Sequence, residues 1–151
     1  MSKSVAPRKC SVADTLDLVG DRWSLLVVRE LSHGVHRFDR IVRNTGASRD
    51  VLTARLRRLE AVGIIRRRLY NEHPPRYEYR LTSAGWELCD VLLTLMRWGD
   101  RHLNPDDPPL RYQHSCGEVL DPVVVCAHCG GPAVRGAHSP SGPALADDRC
   151  S

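Results

Sequence analysis

The chain has 151 residues, 42% apolar and 26% charged, with 22 Lys and Arg against 18 Asp and Glu for a formal charge of +4. That supports one core with an appendage, since a single domain needs about 100–150 residues. No apolar run approaches the roughly 20 residues that cross a bilayer, and the polar start Met1–Lys9 lacks the apolar middle of a signal peptide. A cytoplasmic, non-membrane protein with reduced thiols is therefore expected, and its six cysteines do not read as a disulfide framework.

In chain order, a polar arm over 1–9 precedes a first short helix, Ser11 to Val19, with Val12, Leu16 and Val19 at helical spacing and Gly20 as its stop. Asp21 is a good N-cap for the next helix, Arg22 to about Ser32, whose Trp23, Leu25, Leu26, Val27, Val28 and Leu31 make it the central core helix. Phe38–Val42 predicts a third, short helix closed by Asn44-Thr45-Gly46. Ser48 caps a fourth, with Leu52, Leu56, Leu59 and Val62 in one stripe and Gly63 at its end. Ile64–Tyr70 and Tyr77–Leu81 read as strands joined by Asn71-Glu72-His73-Pro74-Pro75, where two prolines stiffen the tip. A long helix follows from Thr82 to about Trp98. From Pro105 onward lie seven of the ten prolines, marking an extension over 105–136 and a disordered tail over 137–151.

This order predicts a mainly α protein with a small β-hairpin wing, a winged helix-turn-helix over 10–104. Charge agrees. Residues 37–81 hold 12 of the 22 basic residues against five acids, a local +7, whereas residues 105–151 carry three Arg against six acids. Such concentration is the electrostatic footprint of a phosphate-backbone partner, here double-stranded DNA. On the fourth helix, 100° per residue turns Leu52, Leu56 and Leu59 inward and Asp50, Thr53, Ala54, Arg57 and Arg58 outward, with Ser48 and Arg49 at the exposed N-terminal end. Arg57 or Arg49 can grip guanine bidentately, Thr53 or Ala54 can lie against a thymine methyl, and Asp50 accepts from cytosine or orients an arginine. Ser48 can donate to a phosphate. Arg37, Arg66, Arg68 and Arg76 complete the expected DNA contacts, alternation leaving Arg67 on the other strand face. The plainer alternative is that these arginines solvate an ordinary helix. Against it, seven Arg between 49 and 68 face only Asp50 and Glu60, too few acids for a salt-bridged surface.

Several long, colinear stretches carry a resemblance: Cys10 with Leu16-Asp17-Leu18-Val19-Gly20-Asp21-Arg22-Trp23, then Leu25–Leu31, Arg37-Phe38-Asp39, Ser48–Leu56 and Pro74–Thr82. Over about residues 10–102 the chain resembles the HxlR family of bacterial winged helix-turn-helix regulators, relatives of the multiple-antibiotic-resistance regulator fold. The resemblance implies a transcriptional regulator, not an enzyme, that binds a palindromic operator as a homodimer. The first and last helices have more apolar surface than one small core covers, so Leu16, Leu88, Val91, Leu92, Leu95 and Trp98 are the expected dimer contacts.

Six cysteines leave two questions. Cys10 lies beside Arg8 and Lys9 ahead of a helix, a setting that stabilises thiolate and suits an oxidant sensor. The resemblance adds that some relatives sense oxidants or electrophiles through the equivalent cysteine, although Ser11 stands where the family commonly has proline; the alternative is a thiol that packs on the second helix. Cys89, within an apolar run, reads as a small core residue. His114-Ser115-Cys116 and Cys126-Ala127-His128-Cys129-Gly130 fit a structural zinc site with His114, Cys116, Cys126 and Cys129 as ligands and His128 spare. The alternatives are a flexible tail with free thiols or, less suited to its surroundings, a redox pair at Cys126 and Cys129. The rival to a DNA-binding regulator is a metal-dependent interaction module or enzyme centred on this segment, but no paired nucleophile and base and no phosphate-cradling loop accompany it.

Overall fold

The computed structural model describes residues 10–133; the arm over 1–9 and the tail over 137–151 lie outside them. The elements are α1 (Ser11–Val19), α2 (Arg22–Ser32), α3 (Phe38–Thr45), α4 (Arg49–Ala61), β1 (Ile65–Glu72), β2 (Pro75–Leu81) and α5 (Ser83–His102). The fold is mainly helical with one two-stranded antiparallel hairpin, β1 beside β2. No helix among the described residues is long and apolar enough to cross a membrane.

Local chemistry sets each boundary. Asp21 Oδ1 accepts from the amides of Trp23 and Ser24, both at 3.0 Å, satisfying two donors that the start of α2 leaves free. Ser48 caps α4 in the same way, its Oγ accepting from Val51 N at 3.3 Å. Between α3 and α4 the chain reverses at Gly46, whose φ of 74° is left-handed and natural to glycine. That single residue aims α4 away from α3.

The core gathers Val27, Val28 and Leu31 of α2, Ile41 of α3, Leu52, Leu56 and Leu59 of α4, and Ile65 and Leu81 of the hairpin. Each buried aliphatic side chain contributes about 1.5–3 kcal/mol. Leu52, Leu56 and Leu59 thus hold one side of α4 firmly on α2, which leaves its opposite side free to face solvent or a ligand. Val62, expected in the same stripe, is the C-cap and is exposed, because the helix ends at Ala61 before that position comes round to the core.

The hairpin is longer than expected. Strand pairing continues to Glu72 opposite Pro75, so only His73 and Pro74 form the loop. Pro75 is tolerated because a two-stranded sheet has an outer side where its missing N–H is not needed. The α5 helix also runs further, to His102, with Thr82 as its cap: the Thr82 hydroxyl accepts from Gly85 N at 3.2 Å.

The chain divides into two compact units between Met96 and Arg97, within α5. In the second unit, Asp121 forms ion pairs with Arg97 and Arg101, tying the extension to the last turns of this helix. The bond from Arg97 in particular holds the Asp121 carboxyl below its ordinary pKa.

Candidate nucleic-acid interface

The α4 helix presents its outward side as expected. Asp50, Ala54 and Arg57 are exposed, as are Ser48 and Arg49 at its start. Thr53 is half-buried and its hydroxyl donates to Arg49 O at 2.8 Å, which leaves its methyl as the outward chemistry. Ser48 Oγ accepts from Val51 N and still has its own proton to donate to an anion.

Arginine pairing sorts the positive charge. Arg55 Nε lies 3.0 Å from Asp21 Oδ1 as an ion pair whose angle does not make a hydrogen bond. Arg58 is exposed, as expected, and donates to the carbonyl of Asp17, bracing α4 against α1. Arg49 Nη1 meets Asp39 Oδ1 at 2.7 Å while its guanidinium rests 4.8 Å from the centre of the Phe38 ring. Both partners of that pair are exposed, so the link is worth about 0–1 kcal/mol and yields readily to a stronger acceptor. Arg57 has no carboxylate partner among the described residues.

The hairpin separates its charges by face. Arg67 pairs with Glu60 of α4 at 3.4 Å and lies over the Tyr77 ring, on the side turned to the core. Burial and the nearby Glu60 raise the pKa of Tyr79 on this face, against the opposing charges of Arg67 and Arg57. On the opposite face, Arg66 stands directly across from Arg80, and Arg68 across from Glu78. Two like charges directly opposed destabilise a sheet unless something neutralises them. Glu78 serves Arg80 at 3.0 Å, which leaves Arg66 and Arg68 without a carboxylate among the described residues. A shift in register beside Tyr70 accompanies its contact with Arg37, whose guanidinium sits 4.8 Å from that ring's centre. Arg76, next to the hairpin loop, is also exposed and has no carboxylate partner among the described residues.

Two arginines were not singled out from sequence. Arg40 and Arg43 are exposed on α3 and have no acidic partner among the described residues, so they extend the positive surface across the first helix of the helix-turn-helix. Their charge was visible in the sequence, but nothing in the spacing of so short a helix told which side would be covered.

The remaining expected sites scatter. Cys10 is exposed at the N-cap position of α1 and makes no side-chain capping bond. Leu16 is 56% exposed, Leu95 51% and Trp98 58%, with Val91 similarly open, so these apolar side chains are not used by the protomer's own core. Leu88 and Leu92, by contrast, are half-buried against that core together with Cys89. Burial pushes the Cys89 thiol up, away from the reactive thiolate. His114 and Cys116 come together, Nδ1 to Sγ at 3.2 Å. Cys126 and Cys129 are likewise neighbours, and the amides of Cys129 and His128 aimed at the Cys126 sulfur lower its pKa. The two pairs do not merge: among the described residues no three His, Cys, Asp or Glu side chains form a set that could hold a metal ion.

Comparison with known proteins decides the ancestry of this arrangement. The model of the HxlR-like helix-turn-helix family matches residues 18–107. The chain belongs to that family. A relative within it, the HTH-type transcriptional regulator Rv3095 of Mycobacterium tuberculosis, is 48% identical over 122 residues, covering 80% of this chain and 77% of that protein. Among solved structures, PA1607 is similar at a TM-score of 0.78 and 32% identity, covering 88% of this chain and 94% of that one. The redox regulator HypR in its oxidized form is similar at a TM-score of 0.56 and 34% identity, covering 62% of this chain and 97% of that one. HxlR-like relatives are transcriptional regulators rather than enzymes.

Proposed function

We propose that this protein is a sequence-specific transcriptional regulator that binds a palindromic DNA operator as a homodimer. The observation that carries the reading is the set of arginines on α3, α4 and the hairpin that no carboxylate among the described residues neutralises: Arg40, Arg43, Arg57, Arg66, Arg68 and Arg76. A folded protein does not gain stability from such unpaired like charges, whereas a polyanion does neutralise them and releases its counterions. Ser48, Arg49, Asp50, Thr53, Ala54 and Arg57 enter the major groove from the N-terminal half of α4. Arg37, Arg66, Arg68 and Arg76 grip the flanking phosphates. Exposed Leu16, Val91, Leu95 and Trp98 supply the apolar contact between protomers, and the twofold axis sets two α4 helices about 34–36 Å apart. On this reading the protein works in the cytoplasm, beside the DNA it binds.

A regulatory layer is favoured by one specific observation. Cys10 is exposed at the start of α1, the helix whose own apolar residues Val12 and Leu16 remain uncovered, and the related HypR is a redox regulator. A modified Cys10 would displace α1 at the dimer contact and change the spacing of the two reading helices. The proposal as a whole is tested by selecting random-sequence duplexes with the full chain. Recovery of a palindrome with half-sites one helical turn apart is expected; a pool that stays random after repeated rounds contradicts the reading.

A further inference from the structure

The second unit poses a folding problem. From Arg97 to Ala133 not one residue is buried, and Leu110, Val119, Val123, Val124 and Val125 all stand largely in solvent. So small a piece cannot be held by burial, and chains of this size that fold use a cross-link or a metal. Yet its backbone is specifically folded around two turns. In the first, Gly117 N donates to His114 O and His114 N to Glu118 O, with Gln113 bridged to Val119. In the second, Gly130 N donates to Cys126 O and Cys126 N to Gly131 O, with Val125 bridged to Pro132. Each turn closes on a glycine of positive φ, Gly117 at 94° and Gly130 at 68°, directly after the second potential ligand.

We propose that these two turns are the halves of a structural zinc site, with His114 and Cys116 on one and Cys126 and Cys129 on the other. The pair geometry suits it. With zinc bond lengths of roughly 2.0–2.3 Å, the edge of a tetrahedron between a nitrogen and a sulfur ligand is about 3.6 Å. His114 Nδ1 and Cys116 Sγ are already 3.2 Å apart. The Cys116 amide, which can only donate, bonds to that same Nδ1 at 3.3 Å. The imidazole proton is therefore on Nε2, and a metal at Nδ1 would take over the lone pair that now accepts from the Cys116 amide. The four side chains do not converge as they stand. Only the short segment between Val119 and Val125 separates the two bridged turns, so a metal that drew them together would supply the missing core, its binding energy becoming folding energy. The metal is a staple, remote from any chemistry.

The test uses the full chain without a histidine tag, titrated with Co²⁺ and then displaced by Zn²⁺. About one metal per chain is expected, with the intense visible bands of tetrahedral cobalt and a thiolate-to-metal charge-transfer band. Cys116→Ser and Cys126→Ser should each weaken metal binding at least about tenfold, as should His114→Ala, while His128→Ala leaves it unchanged. Far-ultraviolet circular dichroism of the same variants should stay at the wild-type helical level, which separates loss of a ligand from loss of fold. Weak octahedral bands, zinc content near zero after reconstitution, or a Cys126–Cys129 disulfide in protein prepared under reducing conditions would each overturn the proposal. So would a His128→Ala loss equal to that of His114→Ala.

Discussion

Asp21 joins the core helix to the reading helix, and its replacement gives the most quantitative check on how α4 is held. Its carboxylate takes the amides of Trp23 and Ser24, the Ser24 hydroxyl at 2.5 Å, and the charge of Arg55 on α4. Losing an N-cap costs about 1 kcal/mol, within a range of about 0.5–2. Losing a partly exposed ion pair adds up to about 1. Asp21→Ala should therefore destabilise by about 0.5–3 kcal/mol in urea unfolding near neutral pH. Asp21→Asn, which keeps an acceptor for the two amides but no charge, should lose about half as much. Burial alone would raise the pKa of Asp21, but the bonds from Ser24 and Trp23 and the Arg55 charge outweigh it, and the carboxyl sits below its ordinary value. Because the folded value is the lower one, the carboxylate's contribution is complete above the unfolded value near 3.8 and is lost as pH falls through the folded value. Wild-type stability should thus fall more steeply below pH 4 than that of Asp21→Ala, and the two curves should approach each other there. Equal losses in the Asn and Ala variants at neutral pH, or parallel curves in acid, would refute the reasoning.

Three further outcomes follow from the surface. Arg57→Ala should cost roughly 1–3 kcal/mol on the operator and relax its sequence preference, whereas Arg76→Ala should weaken operator and random duplex alike and lower the salt slope; equal losses on both DNAs for Arg57→Ala would show that it touches phosphate only. Leu95→Asp, which places an unpaired charge on an exposed apolar patch, should convert a dimer to a monomer in light scattering at micromolar concentration while leaving the thermal transition of the protomer nearly unchanged. An oxidant or electrophile should reduce operator affinity in wild type but not in Cys10→Ser, and identical responses would leave Cys10 no sensing role.

Sequence patterns recovered the helices where polar punctuation and apolar period agreed. Gly20 and Asp21 fix the junction of α1 and α2, and Ser48 fixes the start of α4. They failed where one signal was missing. The end of α5, over 99–102, continues no apolar stripe, and the pairs of Asp121 with Arg97 and Arg101 lie there instead. Glu72 and Pro75 look like loop residues because strand propensity cannot see that they pair across a two-residue turn. Apolar periodicity on α5 also could not separate Leu88 and Leu92, which face the protomer's own core, from Val91 and Leu95, which do not. At the interface, composition disclosed the positive charge. The partners that engage Arg55, Arg58 and Arg67 (Asp21, the Asp17 carbonyl and Glu60) are close only in the fold.

The central claim, that the unneutralised arginine surface binds operator DNA, is tested most directly by fluorescence anisotropy of the chain's own upstream DNA against a scrambled duplex across a salt series. With about two to five phosphates met per protomer, a dimer should show a slope of log affinity on log salt of about −4 to −9. The upstream duplex should be preferred by a factor of about 10³ or more at physiological salt. A slope near zero, or equal affinity for both duplexes, would contradict the account.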